Sequence, residues 1–132
     1  NSEDLKEITS NCSLPFILKG IMSVKGALKA LEAGADGIIV SNHGGRVLDD
    51  SLAGIEVLEE IVKAVDGRMK IFVDGAIRTG NDVFKALALG ADGVLIGRPV
   101  SHAVIGGGRE GYSYLYGKDC SGIKRGYGNV WM

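Results

Sequence analysis

The stretch Lys-Ala-Leu-Glu-Ala-Gly-Ala-Asp-Gly-Ile-Ile-Val at residues 29–40 decides the fold, because it returns in altered form at residues 85–96. The second copy reads Lys-Ala-Leu-Ala-Leu-Gly-Ala-Asp-Gly-Val-Leu-Ile, at a constant offset of 56 residues. Upstream, Phe-Ile-Leu-Lys-Gly at 16–20 parallels Ile-Phe-Val-Asp-Gly at 71–75, with a slip of one residue. A repeat of this length indicates a repeated structural unit.

The first unit has the pattern strand–helix–strand. The apolar run Phe16–Lys19 follows a proline and is typical of a strand. Ser23 is a favourable N-cap for a helix over residues 24–33, and Gly34 stands where a helix commonly ends. Residues 38–40 are β-branched and apolar, which predicts a buried parallel strand.

The second unit follows the same pattern. Apolar residues at helical spacing first predict a helix over 52–65, between the two units. A third strand is predicted at 71–73, a helix that opens at 79–82 and closes at Gly90, and a fourth strand at 94–96. Strands that alternate with helices in this way indicate an α/β protein with a parallel sheet.

A doubly wound sheet and a barrel both agree with this order of elements. The repeat favours a TIM (β/α)8 barrel, since such barrels can be built from two similar halves, but a whole barrel needs roughly 250 residues. We therefore predict a (β/α)4 half-barrel within residues 1–108, with its core over 14–105. Its two open sheet edges would need cover from a second copy of the chain or a companion half-barrel. The side chains that would fill a closed interior include Ile17, Ile39, Phe72 and Leu95.

The tail, residues 109–132, has a different character. Glycines and aromatic residues recur in it without a convincing helical period. Residues 107–111 could start a helix, but the remainder is predicted to be loop or disordered. Its aromatic content is unusual for a disordered segment.

Composition excludes little but gives no support to several function classes. The chain has 132 residues, 45% of them hydrophobic, and a net charge of −1, which provides no electrostatic argument for nucleic acid or an anionic membrane. No apolar run approaches the roughly 20 residues that span a bilayer. The polar start lacks the features of a signal peptide. Cys12 and Cys120 form no metal or redox spacing, so free thiols in the cytoplasm are expected.

Polar residues and glycines follow each predicted strand. They are Lys-Gly at 19–20, Ser-Asn-His-Gly-Gly-Arg at 41–46, Asp-Gly-Ala-Ile-Arg at 74–78 and Gly-Arg-Pro at 97–99. Because parallel strands end at the same edge of a sheet, these side chains should converge on one rim, where active sites form in such proteins.

Two glycine–arginine combinations on this rim suggest a phosphate site. Gly75 with Arg78, and Gly97 with Arg98, would offer backbone N–H groups and guanidinium groups to an anion. Either combination alone is equally consistent with a tight turn and a solvated arginine. Two of them on neighbouring strand ends favour a cofactor or substrate that carries a phosphate.

His43 and Arg46 suggest a second function for the rim. An imidazole base and a guanidinium lie three residues apart in one glycine-containing loop. This pair suits a substrate with a carboxylate for the arginine and a proton for the base. A lone histidine in a loop is otherwise often just exposed.

Taken together, these stretches resemble the FMN-dependent α-hydroxy acid oxidase and dehydrogenase family, which includes glycolate oxidase, lactate oxidase and L-lactate dehydrogenase. The resemblance runs from about Leu14 to Gly108 and is most specific in Ser-Asn-His-Gly-Gly-Arg at 41–46. It implies the carboxy-terminal half of an FMN-binding TIM barrel. The implied reaction is oxidation of a small L-2-hydroxy acid, such as lactate or glycolate, to the 2-oxo acid.

The resemblance also implies a role for each residue of the rim. Lys19 would lie near the flavin and stabilise its reduced form, Ser41 would contact the cofactor, and Asp74 would hold ribityl hydroxyls. His43 would be the catalytic base, and Arg46 would bind the substrate carboxylate. The residues that would surround the FMN phosphate are Gly75, Ala76, Arg78, Gly97 and Arg98.

Three departures from the family pattern matter. The family usually has glycine where this chain has Ala76, whose methyl group either crowds the phosphate or is tolerated with a negative φ. The first four strands of the barrel are absent, and the family's last helix does not appear after Gly111. A non-catalytic half-barrel that binds FMN or phosphate, or only self-associates, therefore stays open as the alternative. An FMN-dependent isopentenyl diphosphate isomerase is disfavoured by the pair of His43 and Arg46.

Overall fold

The computed structural model describes residues 1–130, and the side chains of residues 1–126. Helices and strands alternate along the chain in the order α1 (Ser2–Ser10), β1 (Ile17–Ile21), α2 (Val24–Glu32), β2 (Gly37–Val40), α3 (Gly54–Val65), β3 (Lys70–Asp74), α4 (Gly80–Ala88), β4 (Gly93–Leu95) and α5 (Arg98–Val130), with a 3-10 turn at His43–Gly45. Within residues 1–130, no helix has the length and apolar character needed to cross a membrane.

The four strands form one sheet in the order β1-β2-β3-β4. Every neighbouring pair is parallel; between β2 and β3, for example, Ile38 lies opposite Ile71 and Val40 opposite Val73. A helix lies in each connection, as parallel neighbours require. The predicted (β/α)4 arrangement with parallel strands is therefore confirmed.

The aspartate of each Gly-Ala-Asp-Gly stretch ties two strands together. Asp36 accepts a hydrogen bond from the backbone N–H of Phe16 at 2.7 Å, and Asp92 accepts one from Ile71 at 2.9 Å. The backbone N–H of each aspartate in turn donates to the carbonyl of the same partner residue. Each aspartate thus fixes where its strand begins relative to the preceding strand.

The repeated helices also begin and end alike. Ser23 caps α2 by accepting from the N–H of Gly26, and Thr79 caps α4 by accepting from the N–H of Asp82. Gly34 and Gly90 follow the two helices with φ of 83° and 99°, a conformation that favours glycine. The end signals read from the sequence are therefore confirmed.

The two faces of the sheet have different environments. On one face Ile38, Val40, Ile71 and Val73 are at most 3% exposed, because α2, α3 and α4 pack over them. The opposite face would line the interior of a barrel. Its residues Ile39, Phe72 and Leu95 are only partly buried, and Ile17 on the β1 edge is 44% exposed.

The tail differs from the loop or disorder predicted for residues 109–132. Residues 109–130 are helical and belong to α5, which is interrupted at Gly108 (φ 53°, ψ −138°); residues 131–132 lie outside the described part. Three of the glycines that lowered the helix propensity, Gly111, Gly122 and Gly126, allow close packing instead. A Cβ atom on Gly80 of α4 would lie 2.1 Å from the carbonyl oxygen of Asp119, so glycine is needed where α4 meets α5.

Candidate functional site: a cationic cleft at the carboxyl rim

A cleft of about 310 Å³ lies at the carboxyl end of the sheet, where the sequence placed the site. Its size is at the lower end of the range for small-molecule sites. Nine of the ten predicted site residues line it: Lys19, His43, Arg46, Asp74, Gly75, Ala76, Arg78, Gly97 and Arg98. The tenth, Ser41, is 2% exposed and contacts two of the lining side chains.

Lys19, Ser41 and Asp74 form one hydrogen-bonded group at the cleft. The Lys19 ammonium donates to Ser41 Oγ at 3.0 Å and forms a close ion pair with Asp74. The Ser41 hydroxyl donates to Asp74 Oδ2 at 2.9 Å. Lys19 lies within β1, Ser41 directly follows β2 and Asp74 ends β3, so the group joins three strands at the rim.

Asp74 is held as a carboxylate by this group. Burial acts to raise its pKa, but the hydrogen bonds from Lys19 and Ser41 and the Lys19 charge outweigh burial, so the pKa lies below its ordinary value. The N–H of Gly75 acts in the same direction. At neutral pH Asp74 is therefore an acceptor for donors in the cleft, such as hydroxyl groups.

The loop after β2 presents His43 in an unusual backbone conformation. His43, Gly44 and Gly45 all have positive φ, of 59°, 72° and 69°. For histidine this conformation costs about 1 kcal/mol, and such strain is often found at functional sites. The loop is held at both ends: the N–H of His43 donates to Ser41 Oγ, and the N–H of Gly45 donates to Asn42 Oδ1, each at 3.1 Å.

Three guanidinium groups face the cleft without an acidic partner. Among the side chains of residues 1–126, the ion pairs do not include Arg46, Arg78 or Arg98. The lining's acidic side chain, Asp74, is already paired with Lys19. The cleft therefore carries excess positive charge, which favours an anionic ligand.

The loop after β3 contains a departure from the expected geometry at Ala76. Its φ is +60°, so tolerance through a negative φ, one of the two alternatives drawn from the sequence, is excluded. An alanine in this region costs about 1 kcal/mol. Gly75 before it has φ +106°, so two successive residues of this loop are left-handed.

Arg78 is positioned through the start of α4. The Asp82 carboxylate accepts from the backbone N–H of Arg78 at 3.2 Å and from that of Thr79 at 2.9 Å. Burial raises the pKa of Asp82, but these hydrogen bonds, with one from the Thr79 hydroxyl, outweigh it, and the pKa lies below its ordinary value. The capping group of α4 thereby fixes the backbone that carries Arg78 to the cleft.

Sequence reasoning did not give a role to Asn42. Its amide accepts from the N–H of Gly45 and donates to the carbonyl of Leu52 at 3.2 Å, so it closes the loop on both sides of Arg46. An asparagine directly before His-Gly-Gly is the signal that could have shown this, because asparagine often caps such turns. Ile77, Leu95 and Pro99 add apolar walls to the cleft.

Comparison with known proteins gives this cleft a family. The model of the family described as FMN-dependent dehydrogenase matches residues 1–117. A peroxisomal (S)-2-hydroxyacid oxidase of Arabidopsis thaliana is 55% identical over 109 residues, which are 83% of this chain and 30% of that protein. A 4-hydroxymandelate oxidase of Amycolatopsis orientalis is 51% identical over 113 residues, 86% of this chain and 32% of that protein. The chain belongs to the FMN-dependent dehydrogenase family.

Solved structures place the fold within the same family. A crystal structure of mandelate oxidase superposes with a TM-score of 0.92 and 46% sequence identity, covering 97% of this chain and 37% of the oxidase. The observed four-stranded sheet thus corresponds to part of a TIM-barrel oxidase, as predicted. The chain spans about a third of the length of the relatives that it matches.

The cofactor of this family is FMN, and the cleft suits it chemically. FMN carries a phosphate at one end, a chain of hydroxyl groups and a flavin ring. The unpaired guanidinium groups of Arg78 and Arg98 match the phosphate, and the Asp74 carboxylate matches hydroxyl donors. The residues present therefore fit the group.

Proposed function

We propose that this chain is the part of an FMN-dependent L-2-hydroxy acid oxidase that holds the cofactor and carries the catalytic base. The complete site would oxidise a small substrate such as lactate or glycolate to the 2-oxo acid. One observation carries the proposal: three unpaired arginines, a strained histidine and a paired lysine–aspartate group meet at one carboxyl rim. The names of the relatives, among them L-lactate oxidase of Nostoc at 49% identity, support the substrate class.

The cofactor would be held by two sets of residues. Arg78 and Arg98 would bind the phosphate, with the backbone of Gly75, Ala76 and Gly97 around it. Asp74 would accept hydrogen bonds from the ribityl hydroxyls, and Ser41 would contact the cofactor while it keeps Asp74 in place. Lys19 would stabilise negative charge on the reduced ring, because its ammonium is fixed to the rim by Ser41 and Asp74.

The substrate would be held by Arg46, whose guanidinium can bind a carboxylate through two parallel hydrogen bonds. His43 would accept the proton that the hydroxy acid loses on oxidation. Bound FMN supplies the acceptor for the two electrons. The backbone of His43 is tied to Ser41, and through it to Lys19 and Asp74, so base and cofactor residues share one rigid support.

The phosphate requirement tests this assignment most simply. We expect the chain to bind FMN about tenfold more tightly than riboflavin, which has the same ring without the phosphate. Quenching or a shift of the flavin fluorescence on titration measures both dissociation constants. Arg98→Ala and Arg78→Ala should each abolish this preference. Arg109→Ala is the matched control, because Arg109 is exposed on α5 and does not line the cleft. Equal binding of FMN and riboflavin by the native chain would contradict the proposal.

A non-catalytic half-barrel that binds FMN or phosphate is the second candidate. The observation that favours it is the lining of the cleft, whose Arg78 and Arg98 suit a phosphate whether or not turnover follows. Flavin that stays bound through gel filtration, without turnover of any 2-hydroxy acid when the missing half is supplied, would support this candidate. Turnover after such reconstitution would exclude it.

Two further features belong to the proposal. The exposed barrel-facing side of the sheet supports packing against a further half-barrel, in the same polypeptide or in another. Cys12 and Cys120 are free thiols, which supports a reducing compartment such as the cytoplasm. Fractionation of cells with an antibody to the chain would test the compartment, and recovery outside the cytoplasm would contradict it.

A further inference from the structure

The guanidinium group of Arg98 is not fixed by polar contacts. Among the side chains of residues 1–126, it takes part in no ion pair and no hydrogen bond. Its backbone is held, because Arg98 begins α5 and the N–H of Ser101 donates to the carbonyl of Gly97 at 3.2 Å. A long side chain without polar partners samples several rotamers, and ordering it when an anion binds lowers the affinity.

Across the cleft, the Arg98 guanidinium lies against the backbone of Gly44. A Cβ atom at Gly44 would lie 3.2 Å from Nη2 and 3.8 Å from Cζ of Arg98. The first distance is shorter than the roughly 3.5–4.0 Å at which non-bonded atoms attract each other best. The guanidinium therefore occupies space that a side chain at position 44 would take. A planar guanidinium is weakly hydrated, which favours such a position against a bare backbone.

Gly45 differs from Gly44 in this respect. The two glycines have nearly the same left-handed conformation, with φ of 72° for Gly44 and 69° for Gly45. A Cβ atom at Gly45 would meet no atom of the described residues within 4 Å, apart from its neighbours in the chain. Backbone conformation alone thus accounts for glycine at position 45, whereas glycine at position 44 also leaves room for Arg98.

The loop that carries Gly44 is a firm support for the guanidinium. The N–H of His43 donates to Ser41 Oγ, and the N–H of Gly45 donates to Asn42 Oδ1, each at 3.1 Å. These hydrogen bonds hold the residues on both sides of Gly44. An arginine that rests on such a loop has fewer rotamers to lose when a ligand binds, and this raises the affinity for the ligand.

We propose that Gly44 is a positioning residue, which seats the Arg98 guanidinium for a phosphate group at the rim. The inference rests on the proposed function, which assigns Arg98 to the FMN phosphate. A two-point contact between a guanidinium and a phosphate requires atoms within about 0.5 Å of their productive positions, so the space at Gly44 matters for binding. The same loop carries His43 and Arg46, and the seat therefore links the phosphate end of the cleft to the proposed base.

A matched pair of substitutions tests the seat. Gly44→Ala and Gly45→Ala add the same methyl group to the same left-handed backbone, so their urea midpoints should fall equally. Gly44→Ala should weaken FMN binding about fivefold and leave riboflavin binding unchanged, because the displaced guanidinium must be ordered again by the phosphate. Gly45→Ala should change neither dissociation constant. Fluorescence titration with the two flavins measures all four values.

A double variant tests whether the effect acts through Arg98. In a background of Arg98→Ala, addition of Gly44→Ala should cause no further loss of FMN affinity, because no guanidinium is left for the methyl group to displace. A further loss of about fivefold would overturn the proposal, since it would show that Gly44 acts on the cleft without Arg98.

A measurement without flavin separates this inference from the proposed function. The side-chain Nε–H resonance of Arg98, assigned by its disappearance in Arg98→Lys, should shift in Gly44→Ala and stay in place in Gly45→Ala. Inorganic phosphate should move this resonance in the native chain, and Gly44→Ala should need about fivefold more phosphate for the same change.

The possible outcomes distinguish the two proposals. A native chain that prefers FMN to riboflavin, with Gly44→Ala and Gly45→Ala behaving alike, would overturn the seat and leave the proposed function intact. Equal binding of the two flavins by the native chain would contradict the proposed function, and the phosphate titration would then decide on the seat. An Arg98 resonance that ignores phosphate, or responds equally in both glycine variants, would overturn it.

Discussion

The two repeats, residues 16–40 and 71–96, share a scaffold and differ at the ends of their strands. The shared positions are structural: Asp36 and Asp92 tie strands together, and Ser23 and Thr79 cap helices. Gly20, near the end of β1, and Gly75, directly after β3, have similar φ of 95° and 106°. The backbone of the two units is thus the same up to the rim.

The difference lies in the residue before that glycine. Lys19 and Asp74 occupy equivalent positions, offset by 55 residues, and they form an ion pair with each other. A duplicated backbone brings equivalent positions to one rim, and opposite charges at those positions create a polar site. Like residues in the repeats therefore fix the fold, and unlike residues build the chemistry.

The largest effect is expected on the turnover rate, because the two repeats alone should not suffice for catalysis. We expect the purified chain with FMN to show no useful turnover of lactate or glycolate. The base, the arginine and the cofactor must be held within about 1 Å of their productive positions, and loss of that geometry lowers the rate on the order of a hundredfold. Stopped-flow flavin reduction under anaerobic conditions measures this. Turnover at roughly 1–10³ s⁻¹, the usual range for enzymes, would show that two repeats are enough.

Substitution of the two helix-ending glycines should reveal an asymmetry between the repeats. Gly90→Ala is expected to lower the free energy of unfolding by about 2–4 kcal/mol, because the left-handed φ adds strain and the new methyl group overlaps Val62. Gly34→Ala has the same backbone strain but only an ordinary contact with Thr9, at 3.4 Å, so about 1 kcal/mol is expected. Urea denaturation compares the two variants, and equal losses would contradict the packing argument.

Both strand-anchoring aspartates should stabilise the fold at neutral pH, and the contribution of Asp92 should depend on pH in acid. Asp36→Ala and Asp92→Ala should each cost about 1–2 kcal/mol, since both remove a carboxylate that accepts a backbone N–H. Lys70 and the N–H of Ile71 hold the pKa of Asp92 below its ordinary value. Its stabilisation is therefore present above the unfolded pKa of about 3.9 and lost as pH falls through the lower folded value.

The acid dependence has its own check. Thermal unfolding followed from pH 7 to pH 2 should show a smaller loss of stability below pH ~4 for Asp92→Asn than for the native chain, because the asparagine amide does not titrate there. Identical pH profiles for the two proteins would show that the pair of Lys70 and Asp92 does not contribute.

The smallest change in the free energy of unfolding is expected at Ala76, whose counterpart in the first repeat is Ile21. Ala76→Gly should raise the free energy of unfolding by about 0.5 kcal/mol, because relief of the left-handed strain exceeds the added chain entropy of glycine. Ile21→Gly, at the equivalent place without a positive φ, should destabilise instead. A loss of stability in both variants would mean that the Ala76 conformation is not strained.

Much of the fold was accessible from the sequence because the repeat supplied each signal twice. The four strands lie within two residues of their predicted places, and Gly34 and Gly90 end the helices as expected. The helix predicted from residue 52 begins at Gly54, since Ala53 is extended and its N–H is taken by the Glu56 carboxylate. Local capping chemistry of this kind shifts boundaries without changing the pattern.

The sequence predicted which residues form the site but not the conformation of the loops that carry them. Strand ends predicted which residues meet at the cleft. The position of Asn42 before His-Gly-Gly was a signal that was not used, and no pattern showed that Ala76 has a positive φ. The helical tail was missed for a different reason. Its glycines have low helix propensity, which argues against a helix. The close approach of Gly122 to Gly80 in the structure shows why packing prefers glycine at position 122.

Backbone amide mapping by NMR with added FMN tests directly whether the strand ends of the two repeats bind the cofactor. If the strand ends of the two repeats form the cofactor site, the amides of Gly75, Ala76, Gly97 and Arg98 should shift on titration, and those of Asp36 and Asp92 should not. Inorganic phosphate should shift the same four amides at higher concentration. Shifts confined to α1 or to residues 109–130 of α5, or no shifts at the rim with saturating FMN, would contradict binding at the strand ends.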